Sequence, residues 1–145
     1  MRFWDSSAIV PLVVAEEETD RCGVLLHDDS EVVVWLFTAV EVVSALTLRL
    51  RERSLKQQEF RVAREQLNLL QRAWSEVVSV DKVRDRSVRL LEVHSLRAAD
   101  ALQLAAALIA SEETPQDLSF LTLDQRLGEA ALKEGFPVEG VKPSV

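Results

Sequence analysis

Cysteine, histidine, glycine and proline are all scarce in this chain. A lone cysteine, Cys22, rules out an internal disulfide, and neither histidine, His27 or His94, has a Cys or His partner at zinc-ligand spacing. Cys22 therefore reads as a packing residue on a helix. The four glycines and four prolines lie mostly near the ends, no repeat or low-complexity stretch interrupts the 145 residues, and one domain spanning 1–145 is expected. No apolar run approaches the roughly 20 residues that span a bilayer. The start, Met1-Arg2-Phe3-Trp4-Asp5, lacks the apolar core and cleavage site of a signal peptide, so a cytoplasmic location is expected.

Positive charge is also short. A net charge of −7 argues against a nucleic-acid partner until its distribution is considered. Residues 1–48 carry two basic and nine acidic side chains, residues 49–97 twelve and seven, and residues 98–145 three and eight. The basic middle third, from Arg49, Arg51 and Arg53 to Arg86 and Arg89, is either a solvated helical surface or a grip on a phosphate backbone.

What is present is an alternation of strands and helices. A strand over 2–4 runs into Asp5-Ser6-Ser7, which caps a helix from Ala8 to Val14; a second helix covers Glu17 to His27 with Val24 and Leu25 on its apolar side. Glu31 to Phe37 is a β-branched and aromatic run suited to a strand buried on both faces. Thr38 opens a helix to about Arg53. Ser54 opens another whose stripe of Phe60, Ala63, Leu67, Leu70 and Trp74 is either internal core or a dimer contact. Val77 to Val80 reads as a strand, Asp81 to His94 and the alanine-rich Ser95 to Ser111 as helices, Leu118 to Leu123 as a strand, Asp124 to Glu134 as a helix, and Phe136 to Val138 as an edge strand. The order implies an α/β fold: a parallel sheet of about four to five strands in a three-layer α/β/α domain.

The acids carry the chemical signal. Asp5, Glu41 and Asp124 each follow a strand, at the carboxyl edge where open α/β sheets form their ligand sites. Each also has a structural account. Asp5 and Asp124 are N-cap residues, and Glu41 completes Thr38-x-x-Glu41, the pattern of a capping box. Ser44 and Ala45 are small enough to leave room beside Glu41. Asp100, set among Ala98, Ala99 and Ala101, has the weakest structural account, an ion pair with Arg97. Four converging carboxylates repel one another unless a cation sits among them, and an all-oxygen set favours Mg²⁺ or Mn²⁺.

These residues fall in four motifs. Phe3-Trp4-Asp5-Ser6-Ser7-Ala8 is followed by Glu41-Val42-Val43-Ser44-Ala45-Leu46 with Arg49, then by Leu96-Arg97-Ala98-Ala99-Asp100-Ala101-Leu102-Gln103-Leu104-Ala105, then by Phe120-Leu121-Thr122-Leu123-Asp124. In that order they resemble the PIN-domain family, and within it the VapC-type toxin ribonucleases of type II toxin-antitoxin systems. The resemblance implies a PIN-like fold and a Mg²⁺- or Mn²⁺-dependent endoribonuclease with RNA as substrate. Asp5, Glu41, Asp100 and Asp124 would serve as catalytic and metal-binding acids, Ser7 and Thr122 as supporting hydroxyls, and Arg97 as a phosphate contact. It further implies a homodimer and a cognate antitoxin protein. The chain's acidity departs from what a tight RNA binder would show. Other readings fit less well: a phospho-acceptor receiver domain needs paired acids after the first strand, and a haloacid-dehalogenase-type phosphatase needs an Asp where Ser7 stands. A PIN-like module that binds protein or RNA without cutting is the remaining alternative.

Overall fold

Five strands, β1 (Arg2–Trp4), β2 (Val32–Trp35), β3 (Ser75–Val77), β4 (Ser119–Leu121) and β5 (Val138–Glu139), form one sheet in the order β3-β2-β1-β4-β5. They are taken from a computed structural model that describes residues 1–141. All four pairings are parallel, with Phe3 opposite both Val33 and Phe120. Alternation along each strand sends successive side chains to opposite faces. Phe3, Trp35 and Phe120 enter one core, with Leu104 and Leu108 from α6 (Ala98–Ala110), Leu90 from α5 (Val80–Val93) and Leu127 from α7 (Gln125–Lys133). Trp4, Val32, Val34 and Leu121 enter the other. There they meet Ile9 of α1 (Ser6–Val13), Cys22 of α2 (Thr19–Asp28), Leu46 of α3 (Thr38–Arg51) and Leu67 of α4 (Gln57–Ala73). The architecture is the expected three-layer α/β/α sandwich.

Both faces are densely filled. Phe3 stacks on Phe120 with ring centroids 5.4 Å apart, and Phe120 meets Phe136 at 5.5 Å. Ala101, Ala105, Ala106 and Ala107 are fully buried, and their small side chains let α6 lie close to α5 and the sheet. Ala63, Leu67 and Trp74 of the α4 stripe are also buried within the chain, so that stripe is internal core.

Some local expectations change. Val24 is 67% exposed, because α2 packs through Cys22. The helix expected from Ser54 begins at Gln57: Ser54 and Leu55 both donate to the Arg49 carbonyl, closing α3, and the Glu59 carboxylate accepts from the Lys56 N–H at 2.9 Å, which makes Lys56 the cap. Val78 lies beyond β3 and is exposed, and the final strand is Val138–Glu139.

The chain order also places a boundary at β1. Its successors β2 and β3 lie on one side, β4 and β5 on the other, and such a switch point opens a crevice at the carboxyl ends of the strands. Beyond β5, Gly140 (φ +99°) lies flush against the Thr122 carbonyl; a Cβ there would sit 2.3 Å from that oxygen. Gly140→Ala should therefore destabilise the protein by about 1–3 kcal/mol. Gly23→Ala, in the interior of α2 with nothing within 4 Å of the new methyl, should stabilise it by about 1 kcal/mol. Urea midpoints moving in opposite directions check both.

Candidate metal centre

The strands that flank the switch point deliver their first residues beyond the sheet into one cleft. Asp5 follows β1 and is 3% exposed. Its Oδ2 accepts from the Ser7 hydroxyl at 2.6 Å and the Thr122 hydroxyl at 2.8 Å. Those hydroxyls are themselves oriented by backbone donors: the Leu123 N–H gives to Ser7 Oγ at 2.9 Å and the Asp124 N–H to Thr122 Oγ1 at 3.0 Å. With an acceptor position on each hydroxyl oxygen taken, the protons are directed to Asp5. Ser7 and Thr122 thus tie α1 to the turn after β4.

Glu41 is not engaged in the capping box that its sequence pattern suggested. Phe37 is the cap of α3, Thr38 is the first helical residue and fully buried, and the Glu41 carboxylate turns into the cleft. There Gln103 Nε2 donates to Glu41 Oε2 at 2.8 Å and to Thr38 Oγ1 at 3.1 Å. The Ser6 hydroxyl lies 3.3 Å from Glu41 Oε1 and 3.4 Å from Asp5 Oδ1, a long shared contact that bridges the two acids. Ser6 and Gln103 were not among the site residues expected from sequence. For Gln103 a signal existed: a polar side chain one turn beyond Asp100 on an otherwise apolar helix, and it is fully buried.

Asp100 lies in the first turn of α6 and is half-buried. Ala98 and Ala99 are exposed and only Ala101 beside it is buried, so the first two alanines do not account for its burial. Asp124 caps α7, its Oδ1 accepting from the Leu127 N–H at 3.0 Å. All four expected acids line the same cleft of about 290 Å³. Ser7 and Ala45 line it too, whereas Ser44 is exposed. Arg97 is exposed at the start of α6; its charge and that of Arg126 both draw the Asp100 pKa down. A larger hollow, of about 580 Å³, lies between the turns joining α1 to α2 and α3 to α4, and has no cluster of acids.

The electrostatics of the cleft are those of excess negative charge. Burial raises the Asp5 carboxyl above its usual range, opposed by the Ser7 and Thr122 hydrogen bonds, with the Asp124 charge adding to the rise. Glu41 is pushed up to about 7, first by burial and then by Asp5 and Asp100, against the Gln103 and Ser6 bonds. Asp100 is pushed up to about 6 by burial, then by Asp124 and Asp5. Among the described residues no three Asp, Glu, His or Cys groups already close around an ion. The donors fit a hard divalent cation nonetheless. They are all oxygens, they repel one another, and Mg²⁺ keeps several waters while taking only one or two carboxylates directly.

A family model described as the PIN domain matches residues 2–133. No curated protein matches the chain. Among solved structures, the crystal structure of FitAcB from Neisseria gonorrhoeae shares the fold at 17% identity, with a TM-score of 0.64 over 95% of this chain and 96% of that one.

Raised carboxyl pKa values mean that the folded state holds protons the unfolded chain releases, so their contribution to stability is lost as pH rises through about 6 for Asp100 and about 7 for Glu41. In EDTA the melting temperature should therefore fall between about pH 5 and about pH 8. Asp100→Asn should flatten that fall, and Mn²⁺ should restore stability at the alkaline end only. A wild-type profile that is flat in EDTA would contradict the burial of these carboxyls beside one another.

Proposed function

The chain belongs to the PIN domain family, and on that premise we propose that it is a divalent-metal-dependent endoribonuclease, the toxin of a VapBC-type toxin-antitoxin pair, acting as a single domain over 1–145 in the cytoplasm. The observation that carries the reading is the convergence of Asp5, Glu41, Asp100 and Asp124 on one cleft at the switch point of the sheet. Asp5, Asp100, Asp124 and Glu41 would hold Mg²⁺ or Mn²⁺. The ion supplies Lewis-acid chemistry, lowering the pKa of water and drawing charge from the phosphate oxygens.

The protein's own groups would do the rest. Ser7 and Thr122 hold the Asp5 carboxylate in one orientation, so that no reorganisation is needed when substrate arrives. Gln103 and Ser6 hold the Glu41 carboxylate in the cleft that Asp5, Asp100 and Asp124 also line. Beside a bound cation the Glu41 carboxylate would be ionised and would serve as one of the metal-holding acids, so the attacking water would give its proton to solvent. Water adds its oxygen to phosphorus, the ester P–O bond breaks, and a proton passes to the departing oxygen. Arg97 and Arg126, near Asp100, would offset the charge of the incoming phosphate.

The likeness to VapC-type proteins also supports a homodimer and an antitoxin protein as partners. For the dimer there is a chemical basis in the exposed apolar side chains Phe37, Val40, Val78 and Val80, which follow the ends of β2 and β3. No helix among the described residues is long and apolar enough to cross a membrane.

The test is cleavage of labelled total RNA by the purified protein with EDTA, Mg²⁺ or Mn²⁺. Asp100→Asn should keep the fold and lower metal-dependent cleavage by more than about 100-fold, since loss of a residue that merely supports a metal ligand already costs ~10–100-fold. Cleavage retained by a folded Asp100→Asn variant would refute the assignment. No cleavage by the wild type with either metal would favour a PIN module that binds without cutting.

A further inference from the structure

An all-acid cleft has a difficulty with RNA that the four carboxylates do not resolve. A cation neutralises them locally, yet a nucleic-acid strand brings further phosphates to either side of the bond being cut, and each must lie against protein. Among the described residues lining the cleft, Arg49 is the only basic one. It stands on α3 at two successive four-residue steps from Glu41, through Ala45, so all three share one face of the helix. The eight-residue separation is about 12 Å along the axis. Ala45, between them on that face, is small and lines the same cleft as both.

The pairing of Arg49 is incomplete. Nη2 bonds Glu16 Oε1 at 2.5 Å, while Nη1 is buried without a hydrogen-bond partner. An unmet guanidinium donor is costly where water does not reach it. Glu16 itself comes from the turn between α1 and α2, lines the same cleft, and has a side chain 28% exposed. A carboxylate and a phosphate present similar paired oxygens to the guanidinium fork.

From this arrangement we infer that Arg49 is the contact for a phosphate flanking the scissile one, and that Glu16 is an internal anion which the RNA backbone displaces from it. The inference rests on the RNA substrate proposed above and deepens it. Arg49, on the helix that carries Glu41, and Arg97 with Arg126, whose charges act on Asp100, would then offer the strand cationic contacts beside the acids.

The experiment is binding of a fluorescent, unstructured RNA oligomer in Ca²⁺, which occupies carboxylate sites without the octahedral geometry that Mg²⁺ demands, followed by anisotropy over a salt series. Arg49→Gln should weaken binding and reduce the slope of log K against log salt by about 0.7, the loss of one phosphate contact to a single strand. Arg49→Lys should keep the slope while losing part of the affinity with the fork. Glu16→Gln should tighten binding about two- to five-fold, the equivalent of removing a partly exposed ion pair that competes. An unchanged slope in Arg49→Gln, weaker binding in Glu16→Gln, or no RNA binding by the wild type would each overturn the inference. Lower melting temperatures in both variants with unaltered slopes would identify the pair as a structural clamp instead. Cleavage of the same oligomer in Mg²⁺ separates the two readings: binding that depends on Arg49 without cleavage refutes the nuclease alone, and cleavage with an Arg49-independent slope refutes the phosphate contact alone.

Discussion

A buried carboxylate at the end of the central strand is the constraint around which this fold is arranged. Asp5 is 3% exposed, in a place where an ionised group without partners would be untenable. Its partners, the hydroxyls of Ser7 and Thr122, come from α1 and from the turn after β4, and both are oriented by backbone N–H groups of that same turn. Satisfying Asp5 therefore requires β1 and β4 to be neighbours in register. The stacking of Phe3 on Phe120, two residues before Asp5 and Thr122 on the same pair of strands, secures that neighbourhood. Gly140 adds the last element, since only a residue without a Cβ can approach the Thr122 carbonyl so closely. Core packing and site geometry are consequences of one pairing.

From Asp5 the polar network extends outward through Ser6 to Glu41 and through Gln103 to Thr38, joining α1, α3 and α6. Gln103 is fully buried and its Oε1 has no partner, so the network is satisfied on the side of Glu41 and incomplete on the other. Such a group is retained at a cost to stability. What it secures is the rotamer of an acid that a capping box would otherwise have claimed. The same trade is visible in the raised pKa values of Asp5, Glu41 and Asp100: the cleft keeps like charges together that would be more stable apart.

The acidity of the chain has a structural location. Of the charged residues lining the cleft, five are acidic and one is basic, and six of the ten arginines of the middle third lie on α4 and α5, outside that lining. Arg84 pairs with Asp85, Arg86 with Glu113 and His94 with Glu134, all away from the acids. Net charge is therefore a poor guide to the partner. The placement of Arg49 in the cleft lining, and of Arg97 and Arg126 close enough to act on Asp100, bears on it more directly.

Strand and helix order was legible in the sequence because it is written in local patterns. The β-branched run before Thr38, the apolar steps of α4 and the alanines of α6 each specify an element and the face it buries, and alternation of strands with helices specifies a parallel sheet. The four acids were legible for the same reason: each sits beside a strand end or a helix start. Local patterns do not record what a side chain meets from a distant element. The pattern Thr38-x-x-Glu41 describes a capping box equally well whether or not Gln103, 62 residues on, draws the carboxylate inward. Val24 matched the apolar side of α2 until packing on α1 left it outside. The contacts of Ser6, of Gln103 and of the Arg49–Glu16 pair emerged only in the tertiary structure, since each acts across elements that the sheet order brings together. By itself the sequence determined the elements, their order and the acids at their ends. The tertiary structure alone decided which hydroxyl, amide and guanidinium meet those acids, because hydrogen bonds and charge repulsion depend on distance in space and not on separation along the chain.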